Sequence, residues 1–212
     1  MTRSVTLWAV LALQTTSACA LLGKSEPLEL RYLSPESIHE RVRRPASPAV
    51  TAPRDLALYL GRVGSSSHLR ERVVFRDADH EVGFYEDRRW TERPEVYVQR
   101  ALERALFDEG AVTRRVQAAS PTLTANLLEF EEVRAPHLGV RLSIAFALRD
   151  DRSVLRGRTV TVERPAGEGD AASQPRRVAA AMGDALRAAV DEIVVDVVAG
   201  LAALPAPASI TK

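Results

Sequence analysis

The sequence predicts an α/β fold, a single domain in which a mixed, largely antiparallel β-sheet is packed by two principal α-helices. Three observations lead there. Residues 138–148 alternate apolar with polar or small side chains without a break, the two-residue period of a strand. Residues 176–201 carry an apolar stripe at helical spacing, Val178, Met182, Leu186, Ala189, Ile193 and Val197, with Asp184, Arg187 and Asp191 on another stripe. Between 55 and 162, strand-like runs follow one another, interrupted once by a helix that begins at Pro94.

The chain opens as an export signal. One cation, Arg3, precedes the apolar run 5–13, and a short polar and small-residue stretch, 14–18, leads to Cys19. The run is too short to span a bilayer. Ser17 and Ala18 suit a lipoprotein signal peptidase, while Thr16 stands where Leu is usual. The alternative is an ordinary cleaved signal with a chance cysteine. Cys19 is the only cysteine, however, and in an oxidising compartment it has no disulfide partner, so acylation explains it more simply. The expected organisation is therefore a signal peptide over 1–18, a lipidated tether over 19–27, one domain over 28–201 and a flexible tail over 202–212. A diacylglycerol and an N-acyl chain on Cys19 are the only non-protein groups expected; no cofactor or metal is.

Leu28, Leu30 and Tyr32, with Leu33, begin a first strand. Pro35, Pro45, Pro48 and Pro53 make 34–54 a loop. Residues 55–63 read as a buried strand. Residues 68–76 and 81–86 form a hairpin about a turn at 77–80. The helix from Pro94 places Val98, Leu102, Ala105 and Leu106 on one face and ends at Gly110, before a strand at 112–116. The rest of the sheet is a meander of 123–133, 138–148 and 154–162. A change of phase between Leu127 and Leu128 predicts a bulge or burial on both faces of its first strand. A loop over 165–175 leads into the last helix.

Composition narrows the function classes. Without its first 18 residues the 212-residue chain keeps 194, enough for one core, and loses only Arg3 among its charges, leaving 28 cations against 28 anions. Such neutrality gives no electrostatic reason to expect nucleic acid, and the arginines at 41–44 and 176–177 read as solvated faces. The stretch 190–204 is interrupted by Asp191, Glu192 and Asp196, so membrane attachment is expected through the lipid alone.

Catalytic patterns are weak. His39, His68, His80 and His137 are scattered singly, the serine loop at 64–67 lacks a nucleophile-elbow pattern, and the only lysines after the signal are Lys24 and Lys212. Glu131 with Glu132 and Asp150 with Asp151 are expected to be solvated, the first pair because neighbours on a strand point to opposite faces, the second because it suits a turn. The protein is therefore read as a non-enzyme.

One segment carries a resemblance. Val73-Val74-Phe75-Arg76, then Glu81-Val82-Gly83-Phe84-Tyr85-Glu86-Asp87-Arg88-Arg89-Trp90, then Pro94 and a helix containing Leu102 and Leu106, resembles the ABC-type transport auxiliary lipoproteins, the PqiC-like family. The lipobox, the strand at 55–63 and the last helix extend the likeness over most of 19–201. The position of Thr16 and the long arginine-rich loop before Asp55 depart from the pattern. The resemblance implies an accessory role in an ABC system moving lipids through the envelope, with an MCE-domain protein, a permease and an ATPase, and it brings no catalytic residues. Tyr85, Arg88, Arg89 and Trp90 are the candidate partner-binding residues, because arginine and aromatic side chains anchor interfaces. Trp90 equally suits the core beside the helix start. The expected location is the outer membrane, facing the periplasm, since residue 20 is Ala rather than the Asp that marks inner-membrane retention in enterobacteria. A homo-oligomer is compatible with the sequence. The rival readings are a lipoprotein supporting lipopolysaccharide assembly or a cell-wall synthase, and a periplasmic hydrolase.

Overall fold

The computed structural model describes residues 28–37, 56–78, 80–109, 112–115 and 121–204. The segments expected to form the export signal and the tether, Cys19, most of the proline-rich loop, Gly110 and the residues beyond Leu204 lie outside them.

The sheet is assembled on β6 (Thr122–Val133), which is paired along both edges. One edge joins β7 (Gly139–Arg149) antiparallel along its length, and β7 joins β8 (Val154–Pro165) antiparallel, giving the predicted meander. On the other edge two strands follow one another, both parallel to β6: β2 (Ala57–Ser65) beside 122–127, then β3 (Arg72–Ala78) beside 131–133. The sheet therefore forks. Its first branch ends in the two-residue β5 (Thr113–Arg114), parallel to β2. Its second continues through β4 (Glu81–Trp90), antiparallel to β3, to β1 (Arg31–Leu33), parallel to β4.

The predicted bulge is present. Leu127 pairs with Ile144 and Glu129 with Ser143, which leaves Leu128 as the extra residue. Before it the odd-numbered residues of β6 face the helices, and beyond it the even-numbered ones do, so Leu123, Leu127 and Phe130 are all fully buried. On β7, Val140, Leu142, Ile144, Phe146 and Leu148 are buried as their alternation requires.

Both helices cover this face. α1 (Pro94–Glu103) starts with a proline, whose missing N–H is harmless in a first turn, and continues as a π-helical turn over Arg104–Asp108. It buries Tyr97, Val98 and Leu102, and the turn buries Ala105 and Leu106. α2 (Gln174–Ala202) lies on β7 and β8 and touches α1. All six residues of its predicted stripe are buried, worth roughly 10 kcal/mol before the entropy of ordering is subtracted. Gly183 is required where α2 meets the segment after β1, since a Cβ there would strike the Pro35 carbonyl oxygen.

Three expectations need correction. β4 runs to Trp90 rather than to residue 86, because its last residues pair with β1. Of the strand expected at 112–116, the described residues show Thr113–Arg114, paired with β2, while Val116 lies outside them. Glu131 and Glu132 are buried rather than solvated, for they meet arginines and a tyrosine from β3, β4 and the β6–β7 turn.

Candidate functional site: an arginine and aromatic cluster around Glu132

The site lies where the second branch of the sheet passes the start of α2. Glu132, on the helix-bearing face of β6, is 1% exposed. Its Oε1 accepts hydrogen bonds from the Tyr85 hydroxyl at 2.7 Å and from Gln174 Nε2 at 2.9 Å. The Arg88 guanidinium donates to Oε2 at 3.5 Å, and Arg134 Nε lies 3.7 Å from Oε1. Gln174 is the first residue of α2, whose N-terminal dipole also favours a carboxylate.

Local backbone irregularity assembles these groups. Val74 pairs with Phe84, yet Arg72 pairs with Arg89, so residues 85–88 of β4 bulge opposite Val73 alone. In a regular strand Tyr85 and Arg88 would face opposite sides. The bulge brings them together, and the Arg88 guanidinium stacks 3.7 Å from the Tyr85 ring centroid. Gly83 makes room for the Phe75 ring, which a Cβ would strike. Phe75 meets Tyr85 edge-on at 5.0 Å, and Arg134 lies over both rings, at 3.4 Å from Phe75 and 4.8 Å from Tyr85. Arg134 also reaches out to Asp77 at 3.2 Å.

The electrostatics follow. Burial raises the Tyr85 pKa; the Arg134 hydrogen bond pulls it down, but Glu132 adds to the rise. Burial acts to lower the Arg134 pKa, and Tyr85 with Asp77 outweigh it, leaving the guanidinium more basic than usual. The result is one buried anion under a partly exposed roof of two cations and two rings. It can hold a shape and present charge to a partner. Among the described residues no group of three His, Asp or Glu side chains comes together to hold a metal.

The structure separates the four residues that the sequence singles out. Tyr85 and Arg88 belong to the cluster. Arg89 pairs with Tyr32 and Arg72 on the opposite face of the sheet, and its guanidinium is held by the carbonyls of Tyr85 and Arg88. Trp90 is 2% exposed and packs edge-on against Phe130 at 5.1 Å, so of its two readings the structure shows the core one. Phe75, Glu132, Arg134 and Gln174 were not foreseen. Only Phe75 had a sequence signal, its place in the hairpin.

A family model described as ABC-type transport auxiliary lipoprotein component matches residues 41–194. The chain belongs to that family. This auxiliary lipoprotein is similar in fold to the protein XCC0632 from Xanthomonas campestris, of family DUF330, at 21% identity and a TM-score of 0.63, over 81% of this chain and 95% of that one. It is also similar to the hypothetical protein CT253 from Chlamydia trachomatis, at 12% identity and a TM-score of 0.51, over 71% of this chain and 99% of that one. No curated protein matches the sequence. Among the described residues of this auxiliary lipoprotein no helix is long and apolar enough to cross a membrane, and association with the cell envelope follows from its family.

Proposed function

We propose that the protein is a lipid-anchored accessory subunit of an MCE-type ABC system that transports lipids across the cell envelope, and that it acts by docking rather than by catalysis. The family match carries this reading, because its members are components of ABC-type transport. Acyl chains on Cys19 hold the domain at the periplasmic face of the outer membrane and raise its effective concentration for a partner reaching across the periplasm.

The docking site is the cluster about Glu132, presenting Tyr85, Arg88, Arg134 and Phe75. These are arginine and aromatic groups already fixed in place, so little side-chain entropy remains to be lost on binding. Arg89 leaves the set because it faces the other way, and Trp90 because its ring is buried.

The test is co-purification, in mild detergent, with an MCE-domain protein of the same organism. Wild type should be retained, whereas Arg134→Gln, which removes the charge but leaves Tyr85, Gln174 and Arg88 on Glu132, should be lost from the complex while keeping its circular dichroism spectrum. Failure of the wild-type protein to co-purify would count against the reading, and normal binding by Arg134→Gln would displace only the site. Cys19→Ala should abolish incorporation of a fatty-acid analogue and release the protein from membranes. Label retained by that variant would refute the anchor.

A further inference from the structure

Of the eight large apolar side chains exposed among the described residues, five fall in two groups, while Val96, Val154 and Val195 lie elsewhere. Leu28, Leu30 and Tyr32 are 58%, 43% and 64% exposed and recur every second residue at the point where the folded domain begins. Val82 and Phe84, both more than one-third exposed, lie at the start of β4 beside the hairpin turn.

The strand pairing puts the two groups together. β1 runs parallel to β4 with Arg31 opposite Arg88, so the chain traced back from Arg31 to Leu28 heads toward the hairpin turn. Tyr32 pairs with Arg89, Arg89 with Arg72, and the Arg72 guanidinium lies 5.6 Å from the Phe84 ring centroid. Tyr32, Arg89, Arg72 and Phe84 thus share the face that no helix covers. The patch mixes aliphatic groups, two rings and two cations.

We propose that this corner rests on the surface of the membrane, with Leu28, Leu30, Tyr32, Val82 and Phe84 among the headgroups and Arg72 and Arg89 against anionic lipid phosphates. The inference rests on acylation of Cys19 in the function proposed above. Eight residues separate Cys19 from Leu28, so even a fully extended tether keeps Leu28 within about 30 Å of the anchored leaflet. Leu28, the first described residue, itself belongs to the patch. Tyrosine and tryptophan favour the membrane interface because one end of the ring is apolar and the other wet, and cations beside them are drawn to an anionic surface. The docking cluster, on the helix-bearing face, is left turned away from the bilayer.

Because Cys19 is the only cysteine and is acylated in the mature protein, a cysteine introduced elsewhere is a unique thiol. Full-length acylated protein carrying Leu30→Cys, Phe84→Cys, Val154→Cys or Val195→Cys is labelled with an environment-sensitive fluorophore and reconstituted into vesicles of phosphatidylethanolamine and phosphatidylglycerol. All four positions are exposed, so folding should survive. The labels at 30 and 84 should shift to the blue and be quenched by lipids with nitroxide headgroups, while those at 154 and 195 keep their aqueous emission. Protein that floats with vesicles but shows no difference among the four overturns the membrane face and leaves the anchor standing. A shift at 30 and 84 that occurs only when the MCE-domain protein is added assigns the patch to a protein partner and overturns the proposal. Protein that does not float overturns the proposal together with the anchor.

Discussion

Glu131 and Glu132 are adjacent in the chain, both buried, and turned to opposite faces of one strand, each closed by its own cations. Glu131 takes Arg76 Nε at 2.5 Å and the same guanidinium's terminal nitrogen at 3.0 Å, whereas Glu132 takes Tyr85, Gln174, Arg88 and Arg134. A buried carboxylate is tolerable only while such partners are present. The two glutamates therefore fix the positions of β3 and β4 from both sides of β6.

Removing the partner of Glu131 tests this. Arg76→Ala leaves a fully buried carboxylate without its charge partner and should destabilise the fold by about 3–5 kcal/mol. Replacing both, Arg76→Met with Glu131→Leu, should restore most of the loss. Denaturant titration measures each, and an unchanged midpoint in Arg76→Ala would sink the assignment.

Tyr85→Phe removes one donor from Glu132, which should cost about 1–3 kcal/mol at neutral pH. Because the folded-state pKa of Tyr85 is raised, by burial first and then by Glu132, its contribution is complete below the unfolded phenol's value of about 10 and is lost as pH rises through the folded value. Wild type should therefore lose stability more steeply than Tyr85→Phe above about pH 10. Parallel stability curves would show that the hydroxyl does not titrate differently on folding.

Leu142→Asp or Ile144→Asp should unfold the domain. Both side chains are 0% exposed, and an unpaired carboxylate there costs several kcal/mol against a total stability of about 5–15 kcal/mol. Arg141→Ala breaks a partly exposed pair with Glu163 and removes a cation facing Glu129 and Glu131, and should cost far less than either Asp substitution. A circular dichroism melt that ranks Arg141→Ala as the worst of the three would reverse the faces of β7.

Gly83→Ala should lower the melting temperature by forcing the Phe75 ring off its place beneath Arg134, an overpacking cost of about 1–3 kcal/mol. Phe75→Leu in the same chain should recover part of it by vacating that space. If Gly83→Ala melts like wild type, the ring has room to move aside.

Periodicity made much of this fold readable. β7, α2 and the phase break at Leu127 and Leu128 depend on which side chains are apolar, and that is printed in the chain. The start of α1 was equally plain, because Pro94 admits few other positions. The fork of the sheet was hidden, since nothing local says that β2 and β3 share one edge of β6. The buried glutamates were hidden for a related reason. Their partners stand 55 positions away at Arg76 and 44 at Arg88, and an acidic pair without visible partners reads as solvated. Residue type alone singles out Tyr85 and Arg88, and only the bulge in β4 explains why they, and not Arg89, stand together.

The extra residue at Leu128 gives β6 two parities within one strand. Its first half obeys the alternation of the apolar core, and its second half obeys that of the charged cluster. Because β2 borders only the first half and β3 only the second, the domain is a scaffold and a lobe carrying the proposed docking cluster, spliced at a single residue. The lobe that we propose meets partner and membrane is still read by the scaffold, since residues 129–133 pair with β7 and Glu132 accepts a hydrogen bond from Gln174 of α2.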